Sequence, residues 1–273
     1  MRRSLEFLLY AGLILFFILR YSGDDERGSA RQPAPLPQGH APENFLPVED
    51  GGPVTVQVGE RAGNSVGTAF LVNGSGTYVS ARHVVDGCKQ VFLADPLVGM
   101  ERVLSVTVPN NRDFAILKTT RFGVKPFNLS ERIPAKGEEG YFMGFPQGKP
   151  ADVRATVLGQ NEMRSTGKYR MREPVIAWVE RERRPAFPGS LGGMSGGPVI
   201  SREGHVIGSA VAESRRRGRV YTTNPHVFRE MGVLYGISAD RLLERGVHPT
   251  NFELTGQALR RSRAIAQVYC LAK

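Results

Sequence analysis

From Val54 onward the chain is a succession of short apolar or alternating runs, each stopped within a few residues by Gly, Asn, Asp or Pro. They read VTVQV, GTAFLV, TYVSA, KQVFLA, RVLSVTV, FAILK, GYFMGF, VRATVLGQ, VIAWVE, PVI, HVIGSAVA, RVYTT and VLYGIS. Alternation places successive side chains on opposite faces of a pleated strand, and no helical spacing of apolar residues lies between the runs. The expectation is an all-β fold with enough strands for two small barrels packed together. A helix signal comes only late. SADRLLERG has a Ser cap, an apolar face and a Gly stop, predicting a short helix from Ala239 to Arg245. The tail TGQALRRSRAIAQVYCLAK reads either as a helix or as a helix turning into a final strand, IAQVYCL.

The N-terminus has a different texture. Arg2 and Arg3 precede an apolar run from Phe7 to Leu19, followed by Arg20 and acidic residues. This is the layout of an export signal with its charged side inside. The run is short for a membrane span, which wants about 20 residues, and its length fits a cleaved signal peptide. No small-x-small cleavage site lies just beyond it, however, which favours an uncleaved anchor. Residues 1–22 are therefore read as a signal anchor or signal peptide, expected to be an anchor helix tethering an extracytoplasmic, periplasmic-side domain to the inner membrane. The alternative is secretion after cleavage. Residues 23–53, rich in Pro, Gly and charge, form a linker; residues 54–250 are the folded domain and 251–273 a C-terminal extension packed on it.

Lys and Arg total 36 against 26 Asp and Glu, a formal charge of +10. The basic residues are scattered, as on solvated loops and helix faces, so they indicate anionic surroundings rather than a nucleic-acid partner. Cys88 and Cys270 are the only cysteines. In an exported chain a pair is read as a disulfide, with two unpaired buried thiols as the alternative. Two cysteines without a clustered His cannot fill a zinc site, and no metal is expected.

The chemistry concentrates in three segments: VSARHVVDG with His83, NNRDFAILK with Asp113, and GGMSGGPVI with Ser195. Taken alone, GMSGG also fits the G-x-S-x-G elbow of α/β-hydrolases. That motif needs a helix after the serine, and GGPVI is not a helical sequence. Thirty residues separate His83 from Asp113, and 82 separate Asp113 from Ser195. In order, spacing and texture these segments, with GYFMGFPQG, resemble the trypsin-like serine peptidases of the chymotrypsin clan, closest to the bacterial Deg/HtrA-type protease domain. The resemblance runs from about Val54 to Arg245 and implies two six-stranded antiparallel β-barrels.

The resemblance also implies roles. An aliphatic hydroxyl is a poor nucleophile at neutral pH, so Ser195 needs His83 as base, and Asp113 to hold the imidazole tautomer. The N–H groups of Gly193 and Ser195 would converge on the oxyanion. No cofactor is needed, and polypeptides are the expected substrates. Gly189 falls at the base of the specificity pocket, with Val211, Ala212 and Glu213 along its wall. No acid stands at that base, so small or medium aliphatic side chains are the expected preference. Glu213 and the SRRRGR hairpin could instead read charges further along a peptide. Relatives activated by N-terminal cleavage carry Asp before the serine; here Met194 stands there and cannot pair with a freed N-terminus. The residues after Arg245 are too few for a PDZ domain, so delivery through one is not expected, and no oligomeric state is implied. The function expected is a serine endopeptidase acting on exported or misfolded proteins. The alternative is a peptidase-like binding or chaperone module with a disordered oxyanion loop.

Overall fold

A computed structural model of the chain describes residues 53–58, 64–95, 99–120, 125–214, 218–235 and 246–272. The expected anchor, most of the linker and the expected helix from Ala239 to Arg245 lie outside these residues. No described helix is long and apolar enough to cross a membrane.

The strands are β1 (Val54–Val58), β2 (Ser65–Asn73), β3 (Thr77–Ser80), β4 (Gln90–Asp95), β5 (Gly99–Arg102), β6 (Ser105–Thr107), β7 (Ala115–Lys118), β8 (Glu139–Gly144), β9 (Ala151–Gly167), β10 (Met171–Arg184), β11 (Pro198–Ile200), β12 (Val206–Ser214), β13 (Arg219–Thr223) and β14 (Ile265–Leu271). One helical turn, α1 (Arg82–Val85), follows β3; α2 (His226–Tyr235) and α3 (Phe252–Arg261) come late. Instead of two six-stranded units, the described residues form two seven-stranded sheets. Their orders are β5-β4-β14-β2-β3-β7-β6 and β1-β9-β10-β13-β12-β11-β8, the latter with an added β8–β9 pairing. In the first, β5 and β6 are one run bent at Val103 and Leu104, whose N–H groups bond Val91 O on one side and Lys118 O on the other. In the second, the additional strand is β1, which joins β9 in parallel.

Burial explains the texture of the sequence. On β2, Ala69 and Leu71 point into the core of the first sheet, while Phe70 and Val72 join the cluster between the sheets. A strand buried on both faces reads as a continuous apolar run, as AFLV does. The cluster between the sheets takes Tyr141 and Met143 from β8, Val227, Phe228 and Met231 from α2, and Phe252 and Leu259 from α3.

Two expectations change. Of VLYGIS, residues 236–238 lie outside the described residues and the first half is not a strand: Val233–Tyr235 end α2, which starts where Asn224 Oδ1 accepts the His226 N–H at 3.0 Å. Its buried residues recur at helical spacing, a pattern a six-residue window does not show. The segment 251–273 is not an appendage. After α3, β14 enters the middle of the first sheet, pairing with β2 on one side and β4 on the other. Cys270 in that strand is bonded to Cys88, with Cα atoms 5.5 Å apart. The helix is tied to the other sheet: Arg260 donates to both oxygens of the buried Asp152 on β9, at 2.6 and 2.8 Å.

Candidate active site

Strand pairing brings His83 and Asp113 together. β3 and β7 are antiparallel with Ser80 opposite Ala115, so the residues just after one strand lie beside those just before the other. His83 Nδ1 is 2.7 Å from Asp113 Oδ2, and the His83 main-chain N–H donates to Oδ1 at 3.0 Å. The carboxylate is thus held at both oxygens by one residue, and with Nδ1 protonated the other ring nitrogen keeps its lone pair. Asp113 is buried. Burial opposes protonation of His83, but the Asp113 carboxylate, its hydrogen bond and Glu173 behind it outweigh that cost and raise the imidazole pKa.

Glu173 is a residue the sequence reading missed. It lies on the inward face of β10 and is 2 % exposed. Burial first, then the Asp113 charge, pushes its carboxyl up to about 8. The available signal was its phase: Met171, Glu173 and Val175 alternate with exposed residues, which puts an acid among core positions.

Ser195 stands on a turn between the sheets. Its carbonyl accepts the Thr68 N–H from β2 at 2.9 Å. Gly67 marks the meeting point: a Cβ there would lie 2.5 Å from Val84, next to His83, and 3.1 Å from the Ser195 carbonyl. Any larger residue would drive the histidine turn and the serine turn apart. Thr68 was also missed; its hydroxyl donates to Gly193 O at 2.7 Å and accepts the Phe145 N–H at 3.1 Å. Gly193 has φ +96, and a Cβ on it would lie 2.4 Å from Phe145 O, so conformation and space both require glycine. Among the described residues no protein acceptor takes the N–H of Gly193 or of Ser195. Met194 is 2 % exposed and packs in the core of the second sheet with Phe142, Trp178 and Leu191.

Of the four residues expected at a specificity pocket, Gly189 and Glu213 line a cavity of about 460 Å³ together with Glu180, Arg183 and Leu191. Val211 and Ala212 do not line it. The β12–β13 register shifts between Ala210 and Ala212, and Val211 turns inward among Met163, Met171 and Tyr221, with Ala212 against the same cluster. Such a bulge changes which face of the strand a residue presents, which the resemblance alone did not show. Glu213 does not reach outward: its carboxylate accepts the Ser190 hydroxyl and, at 2.6 Å, the Leu191 N–H. Among the described residues no group of three or more His, Cys, Asp or Glu is arranged to hold a metal.

The chain belongs to the trypsin-like peptidases: the model of the trypsin-like peptidase domain matches residues 67–208, more than half of it. It is accordingly a hydrolase of the peptidase class, with polypeptides as the implied substrates. The active form of the Rv3671c protease from M. tuberculosis is similar at 15 % identity, over 69 % of this chain and 86 % of its own, with TM-score 0.52. An inactive form from M. tuberculosis H37Rv is similar at 15 % identity, over 63 % of this chain and 87 % of its own, with TM-score 0.51. At that identity the likeness is one of fold. The HtrA-type protease AlgW with a decapeptide aligns at 17 % identity over 62 % of this chain and 52 % of its own, with TM-score 0.48. No curated protein matches the sequence.

Proposed function

We propose that the protein is a serine endopeptidase in which Ser195 is the nucleophile, His83 the general base and Asp113 its orienting partner. The observation that carries this is the His83–Asp113 pair, at 2.7 Å, in a chain of the trypsin-like family whose Gly193 and Ser195 N–H groups have no protein acceptor among the described residues. His83 takes the Ser195 proton as the hydroxyl attacks the scissile carbonyl. The raised imidazole pKa favours that transfer, and Asp113 stabilises the imidazolium formed. The two free N–H groups receive the oxyanion. His83 then protonates the leaving amine, and water releases the acyl group by the same route reversed. In this reading each sheet is one barrel of the pair.

The substrates proposed are segments of exported or misfolded proteins, with a small or medium aliphatic side chain before the cleaved bond. Glu213 is committed to Ser190 and Leu191 and does not supply an open acidic floor. The domain is proposed to work outside the cytoplasm, tethered by residues 1–22. A fluorophosphonate probe on the purified full chain tests the mechanism: labelling is expected in the native protein and absent in Ser195→Ala. Equal labelling of both, or of neither, refutes it. Sequencing the mature N-terminus tests the tether; a start downstream of residue 22 refutes it.

A further inference from the structure

The segment from Phe187 to Gly193 carries the proposed oxyanion donor, and no Asp-to-N-terminus pair can hold it because residue 194 is Met. Its carbonyls are nonetheless all engaged. Arg183 donates to Phe187 O at 3.2 Å and Gly189 O at 2.9 Å. The Gln147 side-chain amide donates to Pro188 O at 2.8 Å and Ser190 O at 3.0 Å. The Met194 N–H closes on Leu191 O at 2.8 Å, the Gln147 main-chain N–H on Gly192 O at 2.5 Å, and the Thr68 hydroxyl on Gly193 O at 2.7 Å. Every carbonyl from Phe187 to Gly193 therefore accepts a hydrogen bond. On the donor side, Glu213 takes the Leu191 N–H and Ser190 Oγ takes the Gly192 N–H at 2.8 Å. Among the described residues the N–H groups of Phe187, Gly189, Ser190 and Gly193, and of Ser195 just beyond, have no protein acceptor; of these, Gly193 and Ser195 are the proposed oxyanion donors.

We propose that Gln147 and Glu213 are positioning residues that together clamp this segment in its donor-presenting conformation, the task that Met194 cannot perform. The proposal rests on the serine-peptidase reading. Gln147 acts from one side. It sits in a turn, Pro146–Gly148, with φ +53 and ψ 27, a left-handed conformation that a residue with a side chain rarely takes. That conformation lets its N–H and its amide reach the same segment. In a trans peptide the carbonyl and the following N–H point opposite ways, so the bond from Gln147 to Gly192 O directs the Gly193 N–H away from the turn. Glu213 acts from β12. It fixes Ser190 and Leu191 at once, and Ser190 passes the constraint to Gly192. Arg183, held by Glu180 and stacked 4.5 Å from the Phe187 ring centre, anchors the start of the segment.

The test compares the full chain with Gln147→Gly, Glu213→Ala and Glu213→Gln. Glycine keeps the left-handed turn and removes only the amide. In Glu213→Gln the amide oxygen still accepts the Leu191 N–H, while its NH₂ donates to Ser190 Oγ. The readouts are the rate of Ser195 labelling by a fluorophosphonate and turnover of fluorescently labelled casein, with Ser195→Ala as blank. Losing an oxyanion donor slows turnover by about 100- to 1,000-fold, so a segment that only partly leaves its position is expected to slow both rates by about 10- to 100-fold in Gln147→Gly and Glu213→Ala. Glu213→Gln is expected to stay within about threefold of the native protein, since both hydrogen bonds can still form. Native rates in Gln147→Gly or Glu213→Ala overturn the clamp. So does a Glu213→Gln as slow as Glu213→Ala, which would mean that the charge acts on substrate. Hydrogen exchange of the Leu191 amide decides independently of activity. It is expected to quicken in Glu213→Ala and to stay slow in Glu213→Gln; an unchanged rate in Glu213→Ala overturns the proposal even where no turnover is seen. A native protein without Ser195-dependent labelling refutes the peptidase reading instead.

Discussion

The main-chain N–H of Asp113 donates to both carboxylate oxygens of Glu173, at 3.2 and 3.3 Å, so a second buried acid stands directly behind the acid that holds His83. Glu173 is on β10 of one sheet and Asp113 leads into β7 of the other, which makes this contact a join between the sheets at the site. Two carboxylates this close resist being charged together.

The pH dependence of stability follows from that contact. Glu173 has its folded pKa raised to about 8 by burial and by Asp113, with Glu230 adding and Arg112 opposing. A carboxyl raised on folding contributes stability that is present below its unfolded pKa and is lost as pH rises through the folded value. Glu173→Gln keeps an acceptor for the Asp113 N–H and cannot ionise. Thermal melts from pH 5 to 9 are expected to show the variant gaining on the native protein as pH rises. Parallel curves would contradict it.

Asp113→Asn removes the charge and frees the wrong imidazole tautomer while keeping the shape. The expected result is a fall in kcat of about 10⁴-fold with a folded protein. Steady-state hydrolysis alongside circular dichroism measures both. A loss below about tenfold would remove Asp113 from the mechanism.

Met194→Asp places a charge where the native side chain is 2 % exposed among Phe142, Trp178 and Leu191. A charge buried among these apolar side chains is expected to cost the variant several kcal/mol of stability, about 3 or more. It is not expected to become a protein activated by N-terminal trimming. Urea unfolding, and activity before and after trimming, check the two statements.

Arg260→Met leaves Asp152, which is 0 % exposed, without its bidentate partner. Breaking a buried pair from one side costs about 3–5 kcal/mol, whereas replacing both members with apolar groups is often neutral. Urea unfolding is expected to show a large loss in Arg260→Met and recovery of most of it in the double variant with Asp152→Leu. An additive double variant would mean that the pair does not fasten α3 to β9.

Much of this was readable from local pattern. The all-β texture, the strand endings beside His83 and Asp113, and the glycines around Ser195 each lie within a few residues, and steric demands on a strand or turn act at that range. The tail was ambiguous in sequence and proved to be helix, then strand. Glu173 was hidden because its meaning depends on β10 crossing behind Asp113. Gln147, Thr68 and Gly67 were hidden because their partners lie in segments remote in sequence. The inward facing of Val211 was hidden because it goes with a register shift between β12 and β13.

The sequence by itself determined the class of fold and the order of the candidate site residues His83, Asp113 and Ser195, through period-two burial and through glycines that only a tight turn needs. The tertiary structure alone decided that the C-terminal strand completes the first sheet, that an acid backs Asp113, and that Gln147 and Glu213 meet on the segment beside Gly193. Strand pairing and buried polar contacts join residues far apart in the chain, and their free energy depends on burial and geometry that exist only once the sheets have packed.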